Sequence, residues 1–248
     1  LTHRDSAMFK TPYGHDVSVP EIYQPLMTGG RIVIAEPDGH RDPDYLVQLT
    51  VDQQVTVSYF VPTMLREFVR VSDSIADFPL EHAIVAGEAL PRELAEHVRT
   101  TCSWKLHNAY GPTETTDLMT SWEIVPDDAA ISPIGSPAPN MRCYVLGPDD
   151  EPRPVGVAGE LCISGVGVGA GYLGNPEQTA KSFVPNPHED GQIMYRSGDI
   201  CRWRPDGTLE FIRRDDGQVK IRGHRVEVEE IEARLADHPQ LELAAVLM

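Results

Sequence analysis

The sequence predicts an α/β fold: parallel-type α/β layers first, a small antiparallel β-barrel subdomain next, and the start of an α+β subdomain last. Two patterns support this prediction. Between residues 29 and 110, β-branched and apolar runs alternate with segments of helical spacing, which is typical of a parallel sheet covered by helices. After residue 130, short strand-like runs with closely spaced turn signals follow, which is typical of an antiparallel barrel or sandwich. We therefore divide the chain into residues 1–130, 131–213 and 214–248.

The elements of the first part follow from local patterns. Strands are predicted at residues 31–35, 55–61, 83–86 and 106–110, and helices at residues 20–27, 45–53, 63–69 and 91–98. We expect the strand at residues 31–35 to be buried and Thr63 to cap the third helix. Ligands of parallel sheets bind beyond the carboxyl ends of the strands. The loops after Val61, Ala86 and Tyr110 are therefore expected to converge on one cleft.

The composition and net charge argue against some classes of function. The chain has 248 residues, with 21 Lys and Arg against 38 Asp and Glu and a net charge of -17. This charge argues against a nucleic-acid or anionic-membrane surface, although a few fixed donors at one site can still bind a nucleotide. The four cysteines are scattered without a Cys-x-x-Cys pair, which favours free thiols in a reducing cytoplasm. No apolar run approaches the length of ~20 residues that a membrane span needs.

The stretch from Leu106 to Thr116 carries the strongest chemical signal. It combines the flat ring of Tyr110 with the hydroxyl of Thr113 and the carboxylate of Glu114, around a Gly-Pro turn. An aromatic ring can stack on a base, and magnesium prefers one or two carboxylates together with phosphate oxygens. The alternative is an ordinary polar turn.

Two aspartates have an ordinary structural interpretation. Asp16 precedes a predicted helix, whose amides its carboxylate can cap. Asp199 follows Gly198, so it can belong to a turn. The glycines from Gly165 to Gly171 do not predict a phosphate loop, because no helix start with Lys and Ser or Thr follows them.

The stretch from Leu106 to Thr116 resembles the adenine- and magnesium-binding loop of adenylate-forming enzymes, in particular the adenylation domains of nonribosomal peptide synthetases. Three further segments resemble motifs of that family in the family's order: residues 16–21, residues 194–200 and residues 213–227. The resemblance covers essentially the whole chain. It implies ATP-dependent activation of an amino acid to aminoacyl-AMP, followed by transfer to a phosphopantetheine thiol on a carrier protein.

The resemblance implies a role for each matching residue. Adenine and the nucleotide are assigned to Gly87, Glu88, Asn108, Ala109, Tyr110 and Gly111. Ribose is assigned to Asp199 and Arg214, phosphate to Thr113, and Mg²⁺ to Glu114, with Thr113, Glu114 and Arg214 as the catalytic set. Asp16 is assigned to the substrate ammonium, and Asp216 to a hinge. The side-chain pocket is assigned to Val17, Pro20, Tyr59, Ile84, Ala86, Ala109, Asp117 and Leu118.

The sequence also departs from the family pattern. His15 and Pro20 stand where aromatic residues are usual, Ala170 and Arg213 replace an arginine and a glycine, and Ser197 replaces a threonine. The family's phosphate loop and its C-terminal lysine have no match here, so we expect the chain by itself to adenylate poorly. Because a buried carboxylate is costly unless paired, Asp117 predicts a substrate with a basic or hydrogen-bond-donating side chain.

The expected partners are an amino acid, a peptidyl carrier protein and a small helper protein, with no nucleic acid and no membrane. Two other functions stay open. One is an acyl- or aryl-CoA ligase of the same superfamily, which a hydrophobic residue in place of Asp16 would have favoured. The other is a non-catalytic fragment that serves as a docking platform.

Overall fold

A computed structural model describes residues 1–125, 133–215, 218–221, 224–236 and 245–246 of the chain. The predicted hinge residue Asp216 lies outside the described residues, as does the predicted strand at residues 243–248 apart from residues 245–246. Within the described part, no helix is long and apolar enough to cross a membrane.

Seven strands of the described chain form one sheet in the order β2-β1-β3-β4-β5-β6-β7. Their bounds are β1 Ser6–Phe9, β2 Arg31–Ile34, β3 Val57–Phe60, β4 His82–Val85, β5 Lys105–Tyr110, β6 Thr120–Glu123 and β7 Ser136–Pro137. The first five strands run parallel, and β6 and β7 continue the sheet antiparallel. The predicted parallel layer is therefore confirmed, with β1 as a strand that the sequence pattern did not reveal.

Helices connect the parallel strands, at α1 Ser18–Met27, α2 Pro43–Asp52, α3 Pro62–Ser72 and α4 Arg92–Thr101. The main core lies between one face of the sheet and α2, α3 and α4, where Leu46, Phe68 and Val98 are fully buried. Side chains alternate between the faces of a strand. The other face of β3 and β4 therefore presents Tyr59 and Ile84, which pack with Val17 and Leu118 in a separate small cluster.

Two local expectations were wrong. The strand at residues 31–35 is not buried: β2 pairs with β1 only and forms the edge of the sheet, so Ile34 is 71% exposed. The third helix begins at Pro62 with Val61 as its N-cap residue, so Thr63 is not the cap. Proline suits the first helical position because the amide that it lacks has no intrahelical partner there.

The predicted antiparallel subdomain is a five-stranded sheet in the order β10-β11-β9-β8, with β12 paired to β11. The strands are β8 Met141–Leu146, β9 Gly159–Gly165, β10 Phe183–Pro185, β11 Ile193–Trp203 and β12 Leu209–Arg214, and α5 spans Pro176–Ser182. Over the described residues the pairings follow an open path, so the sheet is not a ring closed by hydrogen bonds. A bridge from Gly135 to Leu209 joins it to the region of β7.

The last described elements are the hairpin of β13 Val219–Ile221 and β14 His224–Val226, followed by α6 Val228–Ala236. They agree with a mixed α+β start to the third part. The first sheet extends through β7, beyond residue 130, and the division into three domains stays a prediction.

Candidate active site

A cavity of about 1110 Å³ opens where the parallel strands β3, β4 and β5 end. The residues that follow these strands, Val61, Gly87 and Gly111, all line it. The antiparallel sheet contributes Tyr195 and Asp199 from β11 and Arg214 from β12. The predicted convergence of the three loops is thus confirmed, and the cavity lies between the two sheets.

On one side of the cavity, the loop before α1 contacts the loop after β5. The hydroxyl of Thr113 donates a hydrogen bond to Oδ2 of Asp16 at 2.5 Å, and the amide of Val17 donates to Oδ1 at 2.9 Å. Val17 itself is the N-cap residue of α1 and makes no side-chain cap. Asp16 thus accepts from the amide of the N-cap residue and from no amide within the helix, so the expectation that it caps the helix was wrong. Its carboxylate lines the cavity, and its role towards a ligand stays a prediction.

Asp199, which also lines the cavity, lies at the centre of a second hydrogen-bonded group. Its side chain accepts from the hydroxyl of Tyr110 at 2.5 Å and from Nη1 of Arg214 at 2.9 Å. Nη2 of Arg214 donates to the carbonyl of Ser197 at 3.1 Å. Asp199 and Arg214 face each other because they are register partners in the pairing of β11 and β12. Asp199 is only 3% exposed and belongs to an irregular part of strand β11, so the turn interpretation was wrong.

The environment of Tyr110 keeps its hydroxyl protonated. Burial of the ring and the nearby Asp199 carboxylate both raise the pKa of Tyr110 well above its ordinary value. A neutral phenol can donate to a carboxylate, and each carboxylate oxygen can still accept a second hydrogen bond. Asp199 therefore keeps the capacity to accept from the hydroxyls of a ligand.

A buried carboxylate on α1, Glu21, holds the strand-to-loop segment that leads to Asp16. It is 0% exposed and accepts from the amides of Lys10 and Thr11 at 3.0 and 2.8 Å. It also accepts from Lys10 Nζ at 3.2 Å and from the Thr11 hydroxyl at 2.8 Å. The sequence had marked Glu21 only as part of a motif. Its role was missed because a single acid in a helix carries no sequence signal of burial.

Asp117 is a second buried carboxylate and lines the cavity. Burial, followed by the charges of Asp16 and Glu21, raises its pKa to about 7. Its backbone has a φ of 69°, in the left-handed region. A Cβ on Gly111 would lie 1.3 Å from the carbonyl oxygen of Asp117, so glycine is required at position 111 for this loop to close.

The structure brings twelve of the predicted residues together along the cavity wall. They are Asp16, Val17, Tyr59, Ile84, Ala86, Gly87, Tyr110, Gly111, Thr113, Asp117, Asp199 and Arg214. Lining residues to which sequence reasoning gave no role include Lys10, Tyr195 and Gln218. Tyr195 and Gln218 lie within residues 194–200 and 213–227, the segments that resemble family motifs. That resemblance was the signal in the sequence that could have identified them as lining residues.

Six other predicted residues are not part of the lining. They are Pro20, Glu88, Asn108, Ala109, Glu114 and Leu118. Asn108 is buried, and its amide donates to the carbonyl of Pro133 at 2.8 Å. Leu118 packs in the small cluster around Tyr59. Pro20 lies within α1, so its place in the side-chain pocket stays a prediction.

Glu114, the predicted magnesium ligand, contacts the glycine-rich segment. Its Oε1 accepts from the hydroxyl of Tyr172 at 2.7 Å, and its carbonyl accepts from the amide of Gly169 at 2.8 Å. Among the described residues, no group of three or more His, Cys, Asp or Glu side chains is placed to hold a metal. A lone carboxylate fits Mg²⁺ where a nucleotide supplies the remaining oxygens, since magnesium is usually bound that way.

Comparison of the sequence with known proteins identifies a matching family model and several similar proteins. A family model described as "AMP-binding enzyme" matches residues 1–173. The chain is 44% identical over 248 residues to tyrocidine synthase 3 of Brevibacillus parabrevis, covering 100% of the chain and 4% of that protein. It is 46% identical to phosphinothricin tripeptide synthetase PhsB of Streptomyces viridochromogenes, covering 94% of the chain and 20% of that protein.

Solved structures show the same fold. Holo-PA1221, described as an NRPS protein containing adenylation and PCP domains bound to a vinylsulfonamide inhibitor, matches with a TM-score of 0.91 and 26% identity. The match covers 99% of this chain and 43% of that one. NpsA-ThdA, an artificially fused adenylation-PCP di-domain NRPS from Klebsiella oxytoca, matches with a TM-score of 0.87 and 27% identity, covering 98% of this chain and 45% of that one.

The chain therefore spans less than half of these two solved chains and at most a fifth of the two relatives named above. The family model nonetheless matches well over half of the chain. The chain belongs to the AMP-binding enzyme family.

Proposed function

We propose that the protein is an amino-acid-adenylating ligase of the nonribosomal peptide synthetase type. The observation that carries the proposal is a single cavity with Asp16 on one side and the Asp199–Arg214 pair on the other. A carboxylate at an apolar wall suits an ammonium, and a buried carboxylate that can accept further hydrogen bonds suits a ribose. The named synthetases and the adenylation-PCP structures support the same reaction class.

The proposal places the amino acid against Asp16, with its side chain among Val17, Tyr59 and Ile84. The nucleotide lies on the other side, with adenine against the ring of Tyr110 and ribose on Asp199. Both reactants then meet near Thr113, whose hydroxyl is assigned to the phosphate. An ammonium on Asp16 competes for the oxygen to which Thr113 donates, and this releases the hydroxyl towards the nucleotide.

The reaction has two steps. First, a carboxylate oxygen of the amino acid attacks the α-phosphorus of ATP, and pyrophosphate leaves with the electron pair of the broken P–O bond. Then a thiolate attacks the acyl carbon, and AMP leaves. Glu114 would help to hold Mg²⁺ at the nucleotide, and the ion would supply neutralisation of negative charge on the phosphates. Arg214 and Thr113 position the nucleotide, and such positioning and charge stabilisation supply most of the catalysis in reactions of this kind.

The thiol of the second step is assigned to phosphopantetheine on a carrier protein. Support comes from the solved relatives, whose descriptions name PCP domains beside the adenylation domain. A small helper protein as a further partner stays a prediction. We place the reaction in the cytoplasm, because the four cysteines are free thiols, which a reducing compartment favours.

The test is exchange of labelled pyrophosphate into ATP by the native protein that carries this chain, with amino, fatty and aryl acids as substrates. We expect exchange with an amino acid, and a loss of about 10²-fold or more in kcat/KM for Asp16→Asn, because that variant loses a charge-assisted contact. The exposed Asp190→Asn serves as the matched control and should exchange normally. Exchange with a fatty or aryl acid only would refute the proposal in favour of an acyl-CoA ligase.

A further inference from the structure

The side-chain end of the cavity has apolar walls and one carboxylate. Val17, Ile84 and the buried ring of Tyr59 form the apolar walls, and Leu118 packs in the same cluster without lining the cavity. Asp117 lines the cavity beside them and is 7% exposed. An ionised group in such a place is costly unless a partner of opposite charge or a set of hydrogen bonds compensates it.

Within the described structure, Oδ2 of Asp117 is buried and accepts no hydrogen bond. Glu21 provides the contrast in the same region, since its two oxygens accept four hydrogen bonds from Lys10 and Thr11. The fold thus compensates one buried carboxylate fully and leaves Oδ2 of the other, a residue of the cavity wall, without a hydrogen bond from any described residue. Nearly all buried polar groups in native proteins have partners, so an exception at a cavity wall points to a ligand.

The charges around Asp117 indicate the sign of that ligand. The charged groups that act on it are the carboxylates of Asp16 and Glu21, and both oppose its ionisation. On the β3 side it faces the neutral hydroxyl of Tyr59, which donates to Oε1 of Gln24. The ammonium of Lys10, which also lines the cavity, is engaged by Glu21. The surroundings are therefore net negative and suit a cation.

The backbone holds Asp117 in place for such a role. Thr116 and Asp117 both adopt positive φ values, 67° and 69°, which non-glycine residues rarely do. The loop returns at once to strand pairing, because the amide of Met119 donates to the carbonyl of Tyr110 at 2.8 Å. Strained residues of this kind persist where the surrounding structure fixes them, and they concentrate at ligand sites.

We propose that the amino acid activated by this protein is a diamino acid: Asp16 binds its α-ammonium and Asp117 binds an ammonium on its side chain. This inference rests on the proposed function and adds the substrate class. The side-chain ammonium supplies the hydrogen-bond donor that Oδ2 of Asp117 lacks. The methylene groups that join the two cations lie against Val17, Ile84 and Tyr59.

The test compares ornithine, lysine and 2,4-diaminobutyrate with their matched neutral acids norvaline, norleucine and 2-aminobutyrate, in pyrophosphate exchange by the native protein. We expect a diamino acid to exceed its neutral match by about 10- to 100-fold in kcat/KM, the size of a hydrogen bond to a charged group. Asp117→Leu should reverse this preference towards the neutral acids. Asp190→Asn, an exposed carboxylate, should leave the preference unchanged.

A binding measurement gives a second readout that does not depend on turnover. A diamino acid should raise the thermal midpoint of the native protein and of Asp190→Asn. It should not raise the thermal midpoint of Asp117→Leu. Exchange that favours a neutral or acidic amino acid and does not respond to Asp117→Leu would overturn the diamino-acid inference and leave the proposed function standing. Absence of exchange with every amino acid would overturn both the diamino-acid inference and the proposed function.

Discussion

Replacing Asp117 by asparagine should change how the stability of the unliganded protein depends on pH. The pKa of Asp117 in the folded protein is raised to about 7, from an ordinary value of 3.8. Below pH 3.8 the group is protonated in both the folded and the unfolded chain and contributes no difference. Between pH 3.8 and 7 the unfolded chain loses this proton first. The free energy of unfolding therefore falls by about 1.4 kcal/mol per pH unit.

Above pH 7 Asp117 is ionised in both the folded and the unfolded chain, and the free energy of unfolding stays at its lowered value. With the raised pKa of about 7, the loss amounts to about 4 kcal/mol between pH 4 and pH 8. Asparagine cannot ionise and avoids this loss. The variant should therefore gain stability relative to the native protein as the pH rises, even if its amide makes it less stable at pH 4.

The assay is urea unfolding of both proteins at intervals from pH 4 to pH 8, with the difference in the free energy of unfolding plotted against pH. The substitution changes Asp117 alone, so the difference isolates this group and its coupling to the charges of Asp16 and Glu21. The exposed Asp190→Asn should follow the native curve. Parallel curves for the native protein and Asp117→Asn would show that Asp117 ionises normally, and would refute this reasoning.

Three further variants test contacts around the cavity. Tyr110→Phe removes the hydrogen bond to Asp199 and should raise KM for ATP by about 3- to 10-fold, as measured in pyrophosphate exchange. Glu21→Gln leaves the buried ammonium of Lys10 without its countercharge and should lower the free energy of unfolding by about 3–5 kcal/mol, measured in urea. Gly111→Ala cannot keep the present loop, because its Cβ would meet backbone, and it should lower the thermal midpoint and abolish exchange.

Each of these variants has a matched control elsewhere in the chain. Tyr13→Phe alters an exposed ring and should leave KM unchanged. Glu177→Gln breaks an exposed pair with Lys181 and should leave the free energy of unfolding nearly unchanged. Gly14→Ala adds a Cβ that meets nothing within 4 Å and should be tolerated. A variant that behaves like its control would contradict the contact assigned to it.

The sequence was sufficient to predict the sheet and the convergence of its loops. Apolar runs that alternate with helical segments have few arrangements that bury them, and the parallel arrangement brings Val61, Gly87 and Gly111 to one edge. The motifs also assign Tyr110 and Asp199 to one nucleotide site, and in the structure the two side chains share a hydrogen bond.

Burial of single residues could not be predicted in the same way. The Arg31–Ile34 run has the composition of a buried strand, but it became an edge strand because chain order does not determine which strand is outermost. Glu21 and Asp117 are both acids in polar-looking segments. Hydrogen bonds from Lys10 and Thr11 compensate the buried charge of Glu21 but not that of Asp117. The sequence does not reveal these contacts.

The central claim is that an amino-acid carboxylate attacks the α-phosphorus of ATP in this cavity. The most direct test uses an amino acid labelled with ¹⁸O in its carboxylate, unlabelled ATP and hydroxylamine as acceptor, with the native protein as catalyst and mass spectrometry of the products. We predict AMP that carries one ¹⁸O atom, together with an amino-acid hydroxamate and unlabelled pyrophosphate. Unlabelled AMP, or ADP together with labelled inorganic phosphate, would contradict the claim, because the carboxylate would then not have attacked the α-phosphorus.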